Sequence, residues 1–239
     1  MRRILACCLA SLLGCGIAAA NVVDFTGTAV GSWVNPTWDT GGTDYGSIQN
    51  QDAVDTATVQ WGDQTEQGDP QDSLSFNGAG SDENGAPPDW YWNGTTTDPF
   101  LLGTVTYHNS PIRLYTGLLD VGLNVNVTVT DPAGFNKDFG FATSVEETLN
   151  PASDTVSILG PTPSQWTIPY GNGYLFEMLG FSLDGGRTFI DHVTLDESST
   201  LQDINLYGRI KHIPDGGATA LLLGLASVGL ATVRRHLRR

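Results

Sequence analysis

Three groups of residues in this 239-residue chain carry side chains suited to chemistry or ligand binding. The first is Trp90-Tyr91-Trp92, which follows Pro87-Pro88 in a stretch rich in Gly and Asn. Exposed rings stack on the apolar faces of sugars and anchor protein partners, so these three are candidate carbohydrate contacts. In a strand, however, Trp90 and Trp92 share one face and fill a core, which is the favoured reading. The second group is acidic. Asp63, Glu66, Asp69 and Asp72 fall within ten residues, with Asp52 and Asp55 ahead of them. Calcium takes roughly six to eight oxygen ligands, and these carboxylates are candidates for it. The spacing is not that of an EF-hand, and a solvated acidic loop is the alternative. The third group is the four histidines, His108, His192, His212 and His236. Asp191-His192 has the residue types of an acid–base pair, against which stands a solvated hairpin end. No H-E-x-x-H, G-x-S-x-G or phosphate-binding glycine loop occurs. Carboxylate pairs of the kind that hydrolyse glycosides are available anywhere in so acidic a chain, and so discriminate nothing. The sequence names no catalytic residue, and the expectation is a protein that is not an enzyme.

Ser182-Leu183-Asp184-Gly185-Gly186-Arg187-Thr188-Phe189 matches the Asp-box pattern, S-x-D-x-G-x-T-W/F. It resembles the hairpin turns that recur in sialidases and sortilin-like propellers. The resemblance implies an Asp carboxylate that accepts backbone N–H bonds, with an aromatic ring packed below. A propeller needs several copies. A single copy implies a hairpin turn rather than a glycosidase.

Charge and cysteine usage narrow the setting. Between Asn21 and Ile213 the only basic residues are Arg113, Lys137, Arg187, Arg209 and Lys211, against 25 of the 26 acids, a formal charge of −20. Such a surface repels nucleic acid and anionic lipid. The three cysteines, Cys7, Cys8 and Cys15, all lie in the first fifteen residues. The body of the chain therefore has neither disulfide nor thiol chemistry, and its stability comes from burial.

The two ends read as addresses. Met1-Arg2-Arg3 is a short basic segment, Ile4 to Ile17 is apolar, and Ala18-Ala19-Ala20 is a small-residue cleavage site. Residues 1–20 are thus expected to be a secretory signal peptide, cut by signal peptidase at Ala18 and Ala20 so that Asn21 leads the mature chain. Leu12-Leu13-Gly14-Cys15 is only a loose lipobox, and Arg2-Arg3 is too little for a twin-arginine signal. At the other end, residues 212–239 hold three parts: Ile213-Pro214-Asp215-Gly216-Gly217, an uncharged apolar run over 218–233, and a stop of Arg234, Arg235, Arg238 and Arg239. Pro214 cannot continue a helix and the glycines keep the turn flexible. The run of 16 residues is at or just below the roughly 17–25 of a membrane-spanning helix. It is apolar on all sides, unlike an amphipathic globular helix, and its arginines belong on the cytoplasmic side. The tail resembles the exosortase-type sorting signals of bacteria, specifically the VPDSG-CTERM class, with Ile213 in place of Val and Gly216 in place of Ser. The resemblance implies recognition by an exosortase-type sorting enzyme and removal of the tail. It also implies a transient stay in the inner membrane after Sec export, then the cell surface or the extracellular space. A permanent C-terminal anchor is the alternative.

What lies between, residues 21–211, reads as one all-β domain of the β-sandwich, jelly-roll-like class. Short runs rich in Val, Thr, Phe and Tyr recur between Gly, Asn, Asp and Pro, without a helical period. Strands are expected near 22–28, 56–61, 73–76, 101–108, 122–130, 138–144, 155–159, 165–168, 174–183 and 204–213. Loops are expected over 35–55, 62–72 and 77–99. Leu123 to Thr130 alternates strictly, so its odd positions face a core and its even ones face water.

Six local patterns recur in order: Gly31-Ser32-Trp33, Val59-Gln60-Trp61-Gly62, Ser73-Leu74-Ser75-Phe76-Asn77-Gly78, Leu102-Gly103-Thr104-Val105-Thr106-Tyr107-His108-Asn109, Gly180-Phe181 and Leu206-Tyr207-Gly208-Arg209-Ile210. Together they resemble the choice-of-anchor K domain and cover nearly all of the mature chain. The resemblance implies an extracellular module of bacterial surface proteins, without assigned catalytic residues. The function expected is structural or adhesive, in the envelope or extracellular matrix. A carbohydrate-binding module using Trp90, Tyr91 and Trp92, with extracellular polysaccharide as partner, is the alternative. A glycan-active hydrolase is the third.

Overall fold

The computed structural model describes residues 23–38, 47–49, 56–62, 71–80, 89–94, 96–110, 118–132, 134–146, 155–160, 165–168, 173–190, 192–196 and 201–213. The signal peptide, the tail from Pro214 onward, and Asp63, Glu66 and Asp69 lie outside them. The described residues form thirteen strands and no helix: β1 Phe25–Trp38, β2 Ser47–Gln49, β3 Ala57–Trp61, β4 Asp72–Gly78, β5 Trp90–Trp92, β6 Phe100–His108, β7 Leu118–Asp131, β8 Phe135–Glu146, β9 Thr155–Leu159, β10 Gln165–Ile168, β11 Tyr174–Ser182, β12 His192–Asp196 and β13 Leu201–His212. They pair in two sheets, in the orders β12-β9-β8-β7-β1-β5 and β10-β11-β13-β6-β4-β3-β2. The arrangement is all-β and sandwich-like, with one core drawn from the inner faces of both sheets.

Alternation builds that core. On β7, Leu123, Val125, Val127 and Val129 are buried while Asn124, Asn126 and Thr128 look outward, as the period-2 pattern requires. The central strands carry rings on their inner faces, and glycines opposite make room for them. Phe76 of β4 is the clearest case. A Cβ at Gly31 of β1 would collide with Phe76 Cδ1, and one at Gly103 of β6 would come within 2.5 Å of Phe76 Cζ. Beside this seat the two sheets touch through backbone. A Cβ at Gly78 would strike the Ala29 carbonyl, while the Ala29 N–H donates to Ala79 O at 2.9 Å and the Ala79 N–H to Leu102 O at 2.8 Å. A second tie is the buried Trp33 indole, whose Nε1–H donates to Ala57 O at 3.0 Å across to β3.

The expected strand near 22–28 in fact continues to Trp38, which takes in the start of the expected 35–55 loop. Its inward positions Gly27 and Gly31 are small because the rings of Trp90 and Phe76 occupy the space above them, and Ala29 sits where the Gly78–Ala79 backbone approaches, so the apolar signal vanishes where packing is tightest. Asn35 at φ 53° and Pro36 break the register with β7 without ending the strand. The same loop holds β2, and the expected 77–99 loop holds β5. Both are three-residue strands, too short to show a period. β7 begins at Leu118, earlier than expected, and β12 starts at His192, while Asp191 lies outside the described residues.

The Phe76 seat has a measurable consequence. Gly31→Ala overpacks it and should cost about 1–3 kcal/mol, lowering the melting temperature by several degrees. Adding Phe76→Leu should recover part of the loss, because the two changes share one contact. A Gly31→Ala protein that melts like the parent would contradict the seat.

Candidate functional site

β5 is the edge strand beside β1, with Thr26 opposite Tyr91. Trp90 and Trp92 point inward and are 2% and 3% exposed. Trp90 stacks on Phe100 with centroids 4.6 Å apart, and its Nε1–H donates to Thr28 O at 3.2 Å. Trp92 lies against Phe25 and Tyr174, and its Nε1–H donates to Thr96 O at 2.7 Å. Two of the three candidate sugar contacts are thus core residues, the alternative that the alternation of a strand favours. Tyr91 alone of the three faces out, 54% exposed. Its hydroxyl donates to Asp24 Oδ2 at 3.0 Å, and that bond to a carboxylate raises the phenol above its ordinary pKa.

Beyond Tyr91 the outer face of this sheet is a ladder of hydroxyls and amides. The Thr26 and Thr130 hydroxyls are 3.3 Å apart. Asn126 Nδ2 donates to Asn136 Oδ1 at 2.8 Å and to Asp138 Oδ1 at 2.7 Å, and the Thr128 hydroxyl donates to Asn126 Oδ1 at 3.0 Å. Further along, Gly122, Gly140 and Ala142 leave an open trough of about 760 Å³. Val34, Asn35, Asp120 and Asn124 flank it. Cross-strand polar pairs of this kind stabilise a sheet, and they also present a hydrogen-bonding surface, with carboxylates at Asp24, Asp120 and Asp138, to water or polymer.

The Asp-box segment is a hairpin turn between β11 and Ile190. Phe181 and Ile190 exchange backbone bonds of 3.0 and 2.9 Å at its base. Within the turn, Asp184 Oδ1 accepts from the Thr188 N–H at 2.9 Å, the Arg187 N–H at 3.0 Å and the Ser182 hydroxyl at 2.8 Å. Ser182 Oγ in turn accepts from the Gly186 N–H at 2.8 Å. Gly185 and Gly186 take φ values of 72° and 84°, which a side chain would resist. The turn lies over Tyr207 on the outer face of β13, with the Phe189 ring 5.9 Å from it. The carboxylate is structural here.

At the end of the sandwich where β3, β4 and β6 meet, three residue types of a serine hydrolase come together, a grouping that separated sequence positions did not suggest. Ser110 Oγ is 3.1 Å from His108 Nδ1, and the Ser110 backbone N–H donates to Asp72 Oδ1 at 2.5 Å. The wiring does not make a nucleophile. Asp72 holds the serine's amide, and Ser110 is 3% exposed, out of reach of a substrate. Asp72, the one described member of the calcium candidates, is fully buried and fixes the chain after β6. Among the described residues no group of three or more His, Cys, Asp or Glu could hold a metal ion. His212 is exposed, with its ring 5.0 Å from Tyr174, and His236 lies outside the described residues.

No protein-family model and no curated protein matches the chain.

The Asp184 turn can be titrated. Hydrogen bonds from the Thr188 amide, then the Ser182 hydroxyl, hold its carboxyl well below the usual carboxylate range. The folded pKa is depressed, so the turn's contribution is present above the unfolded value of about 3.9 and is lost as pH falls below it toward the folded value. A carboxyl-carbon NMR titration should show Asp184 still ionised at about pH 3, where free aspartates are mostly protonated. Asp184→Ala should abolish hydrogen-exchange protection at Arg187 and Thr188. An inflection near the ordinary aspartate value would contradict the network.

Proposed function

We propose that this is a secreted bacterial surface or extracellular-matrix protein of the choice-of-anchor K type. Its single jelly-roll-like domain is exported by Sec behind residues 1–20 and finished by an exosortase-type enzyme acting at Ile213 to Gly217. Its role is structural or adhesive. The inner membrane holds the precursor through residues 218–233 and the four arginines, and the mature chain leaves for the cell surface or the extracellular polymer.

The observation that carries this reading is where the folded sheet stops. β13 runs to His212, and the Ile213 N–H still donates to Gly173 O at 2.5 Å. Ile213 itself is 44% exposed. The described sheet therefore ends at the first residue of the expected sorting segment, and Pro214-Asp215, outside the described residues, follow it directly in sequence. Composition supports the same role. Hydroxyl and amide groups line the outer face of one sheet, a surface that hydrogen-bonds a hydrated polymer without needing a pocket. Calcium on Asp63, Glu66, Asp69 and Asp72 is the cofactor reading for the acidic segment, with a solvated acidic loop as the alternative that the burial of Asp72 against the Ser110 amide favours.

Replacing Pro214-Asp215 with Ala-Ala in the native host should leave a full-length precursor in the membrane fraction, seen as a larger band on a blot. If the double variant matures and leaves the membrane like the parent, the sorting reading is wrong.

A further inference from the structure

Gly140 has no steric reason to be glycine. It lies within β8, opposite Asn124 of β7, and is exposed on the outer face of the sheet. Its φ is outside the left-handed region, and among the described residues a Cβ built on it would meet no atom within 4 Å. Gly122 beside it differs, because a Cβ there would press on Val34 Cγ2 at 3.0 Å. A glycine inside a strand weakens it and often marks a bulge or a place where a ligand approaches closely. The β7–β8 register runs from Asp120↔Ser144 to Val129↔Phe135 without a bulge, which leaves the ligand.

Gly140 lies in the floor of the open trough of about 760 Å³, a volume within the roughly 300–1,000 Å³ of small-ligand sites. Four residues in register cross the sheet beside it: Val34 on β1, Gly122 on β7, Ala142 on β8 and Leu159 on β9. Neighbouring strands are spaced by roughly 4.8 Å, so this apolar row is roughly 14 Å long and runs across the strands. Polar side chains bracket it, Asn124 on one side and Asp120 on the other. Further along the same face Asn126, Asn136 and Asp138 bond one another. Asn124 and Asp120 make no side-chain hydrogen bond among the described residues.

We infer that this trough binds a linear, neutral glycan, its sugar rings laid on the apolar row and its hydroxyls bonded to Asn124 and Asp120. The inference deepens the adhesive reading and rests on it for the presence of extracellular polymer. The occupant follows from the groups on the wall. A peptide that joins a sheet needs an open strand edge. Here β7 is paired by β1 and β8, and β8 by β7 and β9. An anionic polymer, or a second copy of this chain, would meet Asp120 and a surface of formal charge −20, with no basic residue among the described lining. An acyl chain would keep one side in water in so open a trough. A sugar ring offers an apolar face together with hydroxyls that donate and accept, which the Asn124 amide and the Asp120 carboxylate match.

Titration calorimetry on the full chain tests this, in a detergent without a sugar head group. The neutral probes are cellohexaose, laminarihexaose and mannohexaose, and the anionic probe is hexagalacturonate. At least one neutral hexasaccharide should bind, and hexagalacturonate should not. Gly140→Val is the decisive variant. A branched side chain there meets no described atom and suits a strand, so the melting temperature should hold or rise. Binding should nevertheless be lost, because the side chain fills the floor. Asn124→Ala should weaken binding roughly tenfold, as the loss of one or two hydrogen bonds does. Silence from every neutral probe, preference for hexagalacturonate, or binding unchanged in Gly140→Val or Asn124→Ala overturns the inference. So does a Gly140→Val protein that no longer folds, since the floor would then not be open. Loss of binding in Tyr91→Ala with Gly140→Val unaffected would move the site to β5 and overturn it too. All of these results leave the sorting reading standing, because maturation is read from the blot of the Pro214-Asp215 variant and not from binding.

Discussion

The ring of Phe76 needs a space that only glycine leaves open, and the rest of the structure is arranged around that requirement. Gly31 from one sheet and Gly103 from the other bound it. With the ring seated, the backbones at Ala29 and Ala79 come close enough to hydrogen-bond, and the sheets are joined along that side. The same device recurs. Trp90 lies over Gly27, and Phe176 lies against Gly208. Each fully buried ring contributes about 1.5–3 kcal/mol of transfer free energy, in the range of a buried aliphatic chain, at the cost of demanding a particular neighbour. A described core held this way needs no cross-link, consistent with the absence of cysteine beyond Cys15.

Much of the sheet framework was legible because it obeys alternation. Leu123 to Thr130 shows its two faces in the letters alone, and the Asp-box letters spell out the turn that forms. The seat was not legible. Gly27, Ala29 and Gly31 carry no apolar signal, yet they are inward positions of the longest pairing among the described strands. Tertiary contact selected small residues there, and a small residue in isolation reads as loop. Trp90-Tyr91-Trp92 carries both readings in its letters. Three adjacent rings suggest a binding surface, but the pleat divides them, sending two inward and one outward. The grouping of Asp72, His108 and Ser110 depends on strand order, which no local pattern encodes.

The motif residues acquire a physical meaning from this. Gly31, Phe76, Gly78, Gly103 and Gly208, which mark the resemblance in sequence, are the residues that seat rings and bring backbones together. They describe how the domain is built and name no chemistry. On the proposed reading, what distinguishes this chain functionally lies at its ends and on its outer faces.

The most direct measurement of the central claim is the intact mass, with both termini sequenced, of the protein released by its native host. A chain beginning at Asn21 and ending within Ile213 to Gly217 is the expected result. A full-length C-terminus through Arg239 on protein outside the membrane, or a lipid on Cys15, would contradict it.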